Sequence, residues 1–133
     1  MNRIGAVVSG IENNGNLHRI SLSAGKHDFT VITLELADEY AVGARVDIRF
    51  KPAHVALAKH IAGDISIANR IEAEVREIRQ GNILAELLLG AETGDFYALT
   101  TVEAVGRMHI VQGDRVIALL KASDLYLSKT DEA

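Results

Sequence analysis

The sequence predicts an all-β protein made of two copies of one small barrel, set end to end. Short runs rich in Val, Ile and Leu favour strands. Aromatic residues make up only 5% of the 133 residues, with no Trp, so the core is expected to be aliphatic. The third observation is that the chain matches itself when it is shifted along its own length.

The internal repeat has a fixed register. Asn-Arg-Ile at residues 2–4 reappears at residues 69–71, an offset of 67 that holds as far as Thr33 and Thr100. After three extra residues in the second copy the offset is 70, and Gly43 then meets Gly113. We therefore predict a first repeat at residues 1–60, a linker at 61–65 and a second repeat at 66–133. Units of this size are near the lower limit for independent stability, so each needs a partner surface.

Five strands are expected in each copy, because alternating apolar residues indicate strands with one buried face. They are predicted at residues 3–12, 17–23, 28–33, 45–50 and 54–58, and at residues 70–79, 83–89, 95–100, 115–120 and 124–127. Short helices are predicted at residues 36–40 and 101–108, the second with Thr100 or Thr101 as its N-cap. Glu-Asn-Asn-Gly-Asn at residues 12–16 predicts a hairpin turn.

Five strands with a short helix between the third and fourth are typical of an OB-like barrel. Closing the sheet into a barrel removes exposed strand edges. An SH3-like barrel or an open sandwich is the alternative, since periodicity alone does not separate these architectures. The predicted fold is a tandem pair of OB-like five-stranded β-barrels.

Composition and motifs exclude several classes of function. A net charge of −4 and a pI of about 5.7 argue against nucleic-acid binding by this chain alone. The absence of Cys excludes disulfides and thiolate metal sites, and the five His residues lack the spacing of a zinc site. No apolar run approaches the roughly 20 residues of a membrane helix, and no signal peptide is recognisable. With no catalytic motif either, we expect a cytoplasmic protein that is not an enzyme.

Two segments of the second copy together resemble the Mop or TOBE family, the molbindin-type domains. Ile-Ser-Ile-Ala-Asn at residues 65–69 stands before the first strand, where the family has a Ser-Ala-Arg-Asn-like start. Lys-Ala-Ser at residues 121–123 stands before the last strand, where the family has a Lys-Ala-Ser-like element. Taken as two units, the resemblance covers nearly the whole chain. It implies an OB-like fold that binds molybdate or tungstate at interfaces between domains or subunits, with no other cofactor.

The resemblance also implies which residues hold the anion. Molybdate is a tetrahedral dianion, so its site must offer hydrogen-bond donors and positive charge. The candidates are Ser66, the backbone around Ala68 and Asn69, Lys121, Ala122 and Ser123, with Arg70 and Lys51 as further cations. Ala68 replaces the Arg of the family pattern. In the first copy Lys51 keeps the Lys, but Ala53 replaces the Ser, and no Ser stands at the position of Ser66.

Three functions remain open from the sequence. The chain is a free-standing molybdate or tungstate binder for storage or homeostasis, a sensor module for a regulator or ABC-transporter partner, or an interaction module that does not bind the anion tightly. We expect a homo-oligomer, because small barrels with interface sites expose apolar surface when alone.

Overall fold

The chain folds into two curled five-stranded sheets. The structure, a computed structural model, describes residues 1–34, 36 and 40–130. The strands are β1 (Asn2–Asn14), β2 (Leu17–Ala24), β3 (His27–Thr33), β4 (Arg45–Phe50), β5 (Ala56–Ala58), β6 (Asn69–Gln80), β7 (Leu84–Ala91), β8 (Gly94–Thr101), β9 (Arg115–Leu120) and β10 (Tyr126–Lys129), and helix α1 (Val102–Arg107) follows β8. The predicted all-β fold class is confirmed. The helix predicted at residues 36–40 falls largely on residues outside the described ranges.

The strands form where the apolar alternation predicts them. In β1, Ile4, Ala6 and Val8 are buried while the residues between them are exposed. The equivalent residues Ile71, Ala73 and Val75 are buried in β6, although Glu74 between the last two is half-buried. Side chains alternate between the two faces of a strand, so one face of each strand packs into the core. The sequence pattern therefore determines which face of each sheet is buried.

Helix α1 begins one residue later than predicted. Thr101 is its N-cap, and the Thr101 hydroxyl accepts a 3.0 Å hydrogen bond from the backbone N–H of Ala104. This bond satisfies one of the donors that the first helical turn leaves free. Of the two N-caps that the sequence allowed, Thr101 is the one used.

The fifth strand of each sheet comes from the other repeat. The strand order is β10-β4-β1-β2-β3 in the first sheet and β5-β9-β6-β7-β8 in the second. In β5, Leu57 pairs with Ala118, and in β10, Leu127 pairs with Ile48. The repeats thus exchange their last strands, and each one completes the sheet of the other.

The exchanged strands begin later than the sequence predicted. Residues 52–54 and 122–124, which lie at the start of or just before the predicted strands, form 3-10 turns, Pro52–His54 and Ala122–Asp124. Each turn is closed by a 3.0 Å backbone hydrogen bond, from the N–H of His54 to the carbonyl of Lys51 and from the N–H of Asp124 to the carbonyl of Lys121. Apolar residues alternate across these turns as they do in a strand, so the sequence pattern predicted strands that begin too early. The turns redirect the chain towards the opposite sheet.

Gly43 and Gly113, matched in the repeat, occupy equivalent turns with φ values of 93° and 94°. L side chains rarely adopt this backbone region, so glycine is favoured. The Gly43 N–H donates to the carbonyl of Val8 at 2.8 Å, and the Gly113 N–H donates to the carbonyl of Val75 at 2.7 Å. Val8 and Val75 each stand at a bulge in their strand. The glycine turns therefore hold the point at which each long strand bends.

One hydrophobic core spans both repeats, and it is mainly aliphatic as predicted. Its largest fully buried side chains include Phe50 on β4 and Phe96 on β8, which belong to different sheets. The two rings meet edge to face with centroids 5.6 Å apart. The repeats are consequently joined by core packing as well as by strand exchange.

A charged contact joins Lys59, the residue that follows the exchanged strand β5, to the second repeat. The Lys59 ammonium donates to the carboxylate of Asp114 at 3.0 Å and to the carbonyls of Met108 and His109 at 3.3 and 2.9 Å, just after helix α1. Asp114 also accepts a 2.9 Å bond from the backbone N–H of Val111. That backbone bond and the nearby Lys59 ammonium lower the pKa of Asp114 below its ordinary value.

The lowered pKa of Asp114 predicts acid-sensitive stability. A carboxyl whose pKa is lower in the folded state adds stability above its unfolded pKa of about 3.9, and this stability is lost as the pH falls through the folded value. We expect Asp114→Asn to lower the thermal unfolding midpoint at neutral pH, with the difference from the parent chain shrinking under acid. Thermal melts across pH measure this. Asp64→Asn, at an exposed carboxyl between the repeats, is the control, and a pH-independent effect of Asp114→Asn would contradict the prediction.

Candidate functional site

Two segments separated in sequence meet beside β3 and form an open cavity of about 260 Å³. One segment is residues 66–68, which precede β6, and the other is residues 121–123, which follow β9. Ile32 of β3 supplies the third wall from the first repeat. The full lining is Ile32, Ser66, Ile67, Ala68, Lys121, Ala122 and Ser123. The cavity therefore lies between the two repeats.

The register of β6 and β9 explains why the two segments meet. These strands are antiparallel, and Asn69 at the start of β6 pairs with Leu120 at the end of β9. The residues before Asn69 and after Leu120 consequently leave the sheet at the same end. The 3-10 turn Ala122–Asp124 then packs against β3, which closes the third side.

The cavity has the donor chemistry of an anion site. Among the described residues, its lining includes one Lys, Lys121, and two Ser, Ser66 and Ser123, and no Asp or Glu. All three side chains are exposed. Within residues 1–34, 36 and 40–130, none of the three makes a side-chain hydrogen bond or ion pair. Their donors are thus available to a ligand.

Five of the residues predicted from the sequence line this cavity together: Ser66, Ala68, Lys121, Ala122 and Ser123. The remaining three do not. The Asn69 side chain is buried and hydrogen-bonded elsewhere, Arg70 lies on the opposite, exposed face of β6, and Lys51 belongs to the first repeat. Anion binding by any of these residues stays a prediction.

Sequence reasoning missed Ile32 and Ile67. Ile67 lies between two predicted residues, so its neighbours already indicated it. Ile32 belongs to the first repeat, and only the packing of the second repeat's turn against β3 brings it to the cavity. No short motif carries that information.

The first repeat has a similar arrangement where its own 3-10 turn meets the second repeat. The turn Pro52–His54 packs against β8 in the same way that Ala122–Asp124 packs against β3. Lys51 precedes this turn as Lys121 precedes the other. Ala53 stands where the second repeat has Ser123, so this side lacks the hydroxyl that Ser123 supplies.

Across the described parts of the chain, no group of three or more His, Cys, Asp or Glu side chains is arranged to hold a metal ion. Among those same residues, no helix is long and apolar enough to cross a membrane.

Comparison with known proteins gives matches in both sequence and structure. No protein-family model matches the chain. The molybdenum import ATP-binding protein ModC of Paramagnetospirillum magneticum (strain ATCC 700264 / AMB-1) is 31% identical over 120 residues. This match covers 90% of the present chain but only 31% of the relative's length.

The fold closely matches that of a solved structure, the cytoplasmic molybdate-binding protein ModG in a crystal form with molybdate bound. The TM-score is 0.89 at 24% identity, covering 97% of this chain and 96% of that one. A molybdate-binding protein from Sporomusa ovata is 33% identical, covers 50% of this chain and has a TM-score of 0.49. The resemblance to molbindin-type domains that the sequence indicates is therefore confirmed at the level of the fold, which this chain shares with ModG.

Proposed function

We propose that this chain binds molybdate or tungstate as an intact oxyanion and does no chemistry on it. The observation that carries the proposal is the cavity at which Lys121, Ser66 and Ser123 meet between the repeats. The ModG protein, which shares the fold, is described as a cytoplasmic molybdate-binding protein. The site residues by this proposal are those three side chains with the backbone of Ala68 and Ala122.

The size and chemistry of the cavity fit such an ion. Liquid water takes about 30 Å³ per molecule, so about 260 Å³ holds a tetrahedral ion with four oxygens and some accompanying water. Hydroxyl donors and an ammonium make charge-assisted bonds to oxyanion oxygens, which are the stronger kind of hydrogen bond. The described lining residues include no Asp or Glu, so none of them adds a charge that repels a dianion.

A single Lys neutralises only half of a dianion, so the cavity needs further donors from outside its own lining. A groove of about 580 Å³ adjoins the cavity and shares Ile32 and Ser123 with it. Leu17, Leu34 and Tyr126 in this groove are large apolar side chains that are 46%, 68% and 45% exposed. Contiguous exposed apolar surface of this kind is typical of an interaction site. We propose that a second copy of the chain covers the groove and adds donors to the cavity.

Sedimentation velocity tests this assembly. We expect a homo-oligomer in solution that dissociates when Leu34→Glu places a charge in the groove, because burying an unpaired charge is unfavourable. Val42→Glu, at a 63% exposed apolar residue outside the groove, is the matched control and should leave the assembly intact. A parent chain that stays monomeric at all concentrations would exclude the assembly.

Titration calorimetry tests the binding itself, with molybdate and tungstate as ligands and sulfate as the control. We expect micromolar or tighter binding of molybdate or tungstate and no heat from sulfate. The absence of a binding heat with all three ions would reject the proposal.

The ModC relative supports a second candidate function. Because 90% of this chain matches a part of an ATP-binding transport protein, the two repeats would serve as a regulatory module for a transporter or regulator partner and would not themselves bind the anion tightly. The same titration separates the candidates, since this function predicts no tight binding by the isolated chain.

A further inference from the structure

Asn69 is a buried polar residue directly beside the candidate site. Its side chain is 1% exposed. The side-chain oxygen accepts a 2.8 Å bond from the backbone N–H of Thr30, and the side-chain nitrogen donates to the carbonyl of Thr30 at 2.9 Å. The same nitrogen donates to the carbonyl of Leu120 at 3.2 Å. The amide thus pairs with β3 much as a strand backbone would, and it also holds the end of β9.

These three bonds join the three walls of the cavity. Asn69 follows residues 66–68, which form the first wall. Thr30 lies two residues before Ile32 on β3, so it belongs to the wall from the first repeat. Leu120 is directly followed by Lys121, which begins the third wall. One buried side chain therefore fixes all three segments relative to one another.

Asn2 is the repeat equivalent of Asn69 and makes a matching contact elsewhere. Its side chain, 5% exposed, donates to the carbonyl of Tyr97 at 2.7 Å and accepts from the N–H of Tyr97 at 2.8 Å. Tyr97 of β8 is the repeat equivalent of Thr30. Among the described residues, Asn2 makes no third bond corresponding to that of Asn69 with Leu120.

We propose that Asn69 is a positioning residue of the oxyanion site: it touches no ligand, and its buried amide holds Lys121 and residues 66–68 at the spacing that the anion requires. This inference rests on the proposed function. The resemblance implied that the backbone around Asn69 lies near the anion, whereas the geometry assigns the Asn69 side chain to the scaffold. A site whose donors are already held in place loses less conformational freedom on binding, which increases affinity.

The matched pair Asn69→Ala and Asn2→Ala tests the assignment. Both changes remove a buried side chain that hydrogen-bonds to the other repeat, so both should lower the thermal unfolding midpoint. Only Asn69→Ala should weaken binding of molybdate or tungstate, by about 10-fold or more, the scale on which groups that orient ion ligands act. Titration calorimetry at a temperature well below both unfolding midpoints measures the change in affinity. If Asn69→Ala does not fold, Asn69→Ser, which keeps a small polar group, replaces it.

A second readout separates positioning from general loosening. Backbone order parameters from nitrogen relaxation should fall at Ile67, Ala68 and Lys121 in the Asn69 variant, from about 0.85 towards 0.6, and should stay at the parent value there in the Asn2 variant. Equal loss of affinity in the two variants, or unchanged affinity in the Asn69 variant, overturns the assignment. If the parent chain binds neither anion, the proposed function fails, and the order parameters alone decide whether Asn69 orders these segments.

Discussion

Phe96→Ala is expected to lower the free energy of unfolding of the whole chain by about 3–5 kcal/mol, the usual effect of emptying a buried aromatic site. Phe96 is 1% exposed, and its ring meets Phe50 edge to face across the two sheets. The substitution removes the apolar area that the Phe96 ring buries and also its contact with the Phe50 ring, which is itself worth about 0.5–1.5 kcal/mol. Against a total stability of about 5–15 kcal/mol, this is the largest single-residue effect we predict.

Urea unfolding followed by far-ultraviolet circular dichroism measures the effect of Phe96→Ala. Because the rings belong to different sheets and the last strands are exchanged, we expect one cooperative transition that shifts as a unit. Tyr97→Ala is the control, since Tyr97 is the next residue and is 39% exposed; it should change the free energy by about 1 kcal/mol or less. Two separate transitions, or a loss below about 1 kcal/mol for Phe96→Ala, would show that the repeats are not coupled through this contact.

The strands and the repeat could be predicted from the sequence because both depend on local patterns. Alternating burial follows from the two-residue period of a strand, and residues 45–50 and 115–120 were predicted with the bounds that the structure has. Matched residues in the two copies proved to have matched structural roles. Gly43 and Gly113 occupy the same left-handed turn, and Asn2 and Asn69 make the same contact with the other repeat.

The exchange of strands could not be predicted in this way. Leu57 and Leu127 are equivalent in the repeat, so the sequence gives each of them the same preference for β4 and for β9. Pairing within a copy and pairing between copies bury similar side chains and make the same kind of ladder. The choice depends on the direction in which the turns after Lys51 and Lys121 lead the chain, which is a property of three-dimensional geometry.

The candidate site was accessible to sequence reasoning only in part. Its polar members lie in two short motifs, so Ser66, Lys121 and Ser123 could be found from the resemblance. The role of the Asn69 side chain depends on a partner, Thr30, that is 39 residues away in the other repeat, and Ile32 reaches the cavity for the same reason. Long-range partners of this kind leave no local pattern.

Lys121→Ala is expected to weaken molybdate binding by about 10- to 150-fold. The substitution removes the one Lys among the described residues that line the cavity. A hydrogen bond to a charged group contributes about 1.5–3 kcal/mol, with each 1.4 kcal/mol worth about a factor of ten in Kd. The side chain is exposed and, among the described residues, makes no hydrogen bond or ion pair. The thermal midpoint of the ligand-free chain should therefore change little.

Lys51→Ala is the matched control for Lys121→Ala, because the repeat places both Lys residues before equivalent 3-10 turns. Lys51 is followed by Ala53 where Lys121 is followed by Ser123, so it lacks the hydroxyl that would complete a site. We expect its loss to change the Kd for molybdate by about twofold or less, on the scale of an ordinary surface substitution. Calorimetric titration of both variants with molybdate decides the ranking. Equal losses would mean that the two repeats contribute equivalent sites, whereas a loss confined to Lys121→Ala places the anion at the cavity between residues 66–68 and the turn Ala122–Asp124.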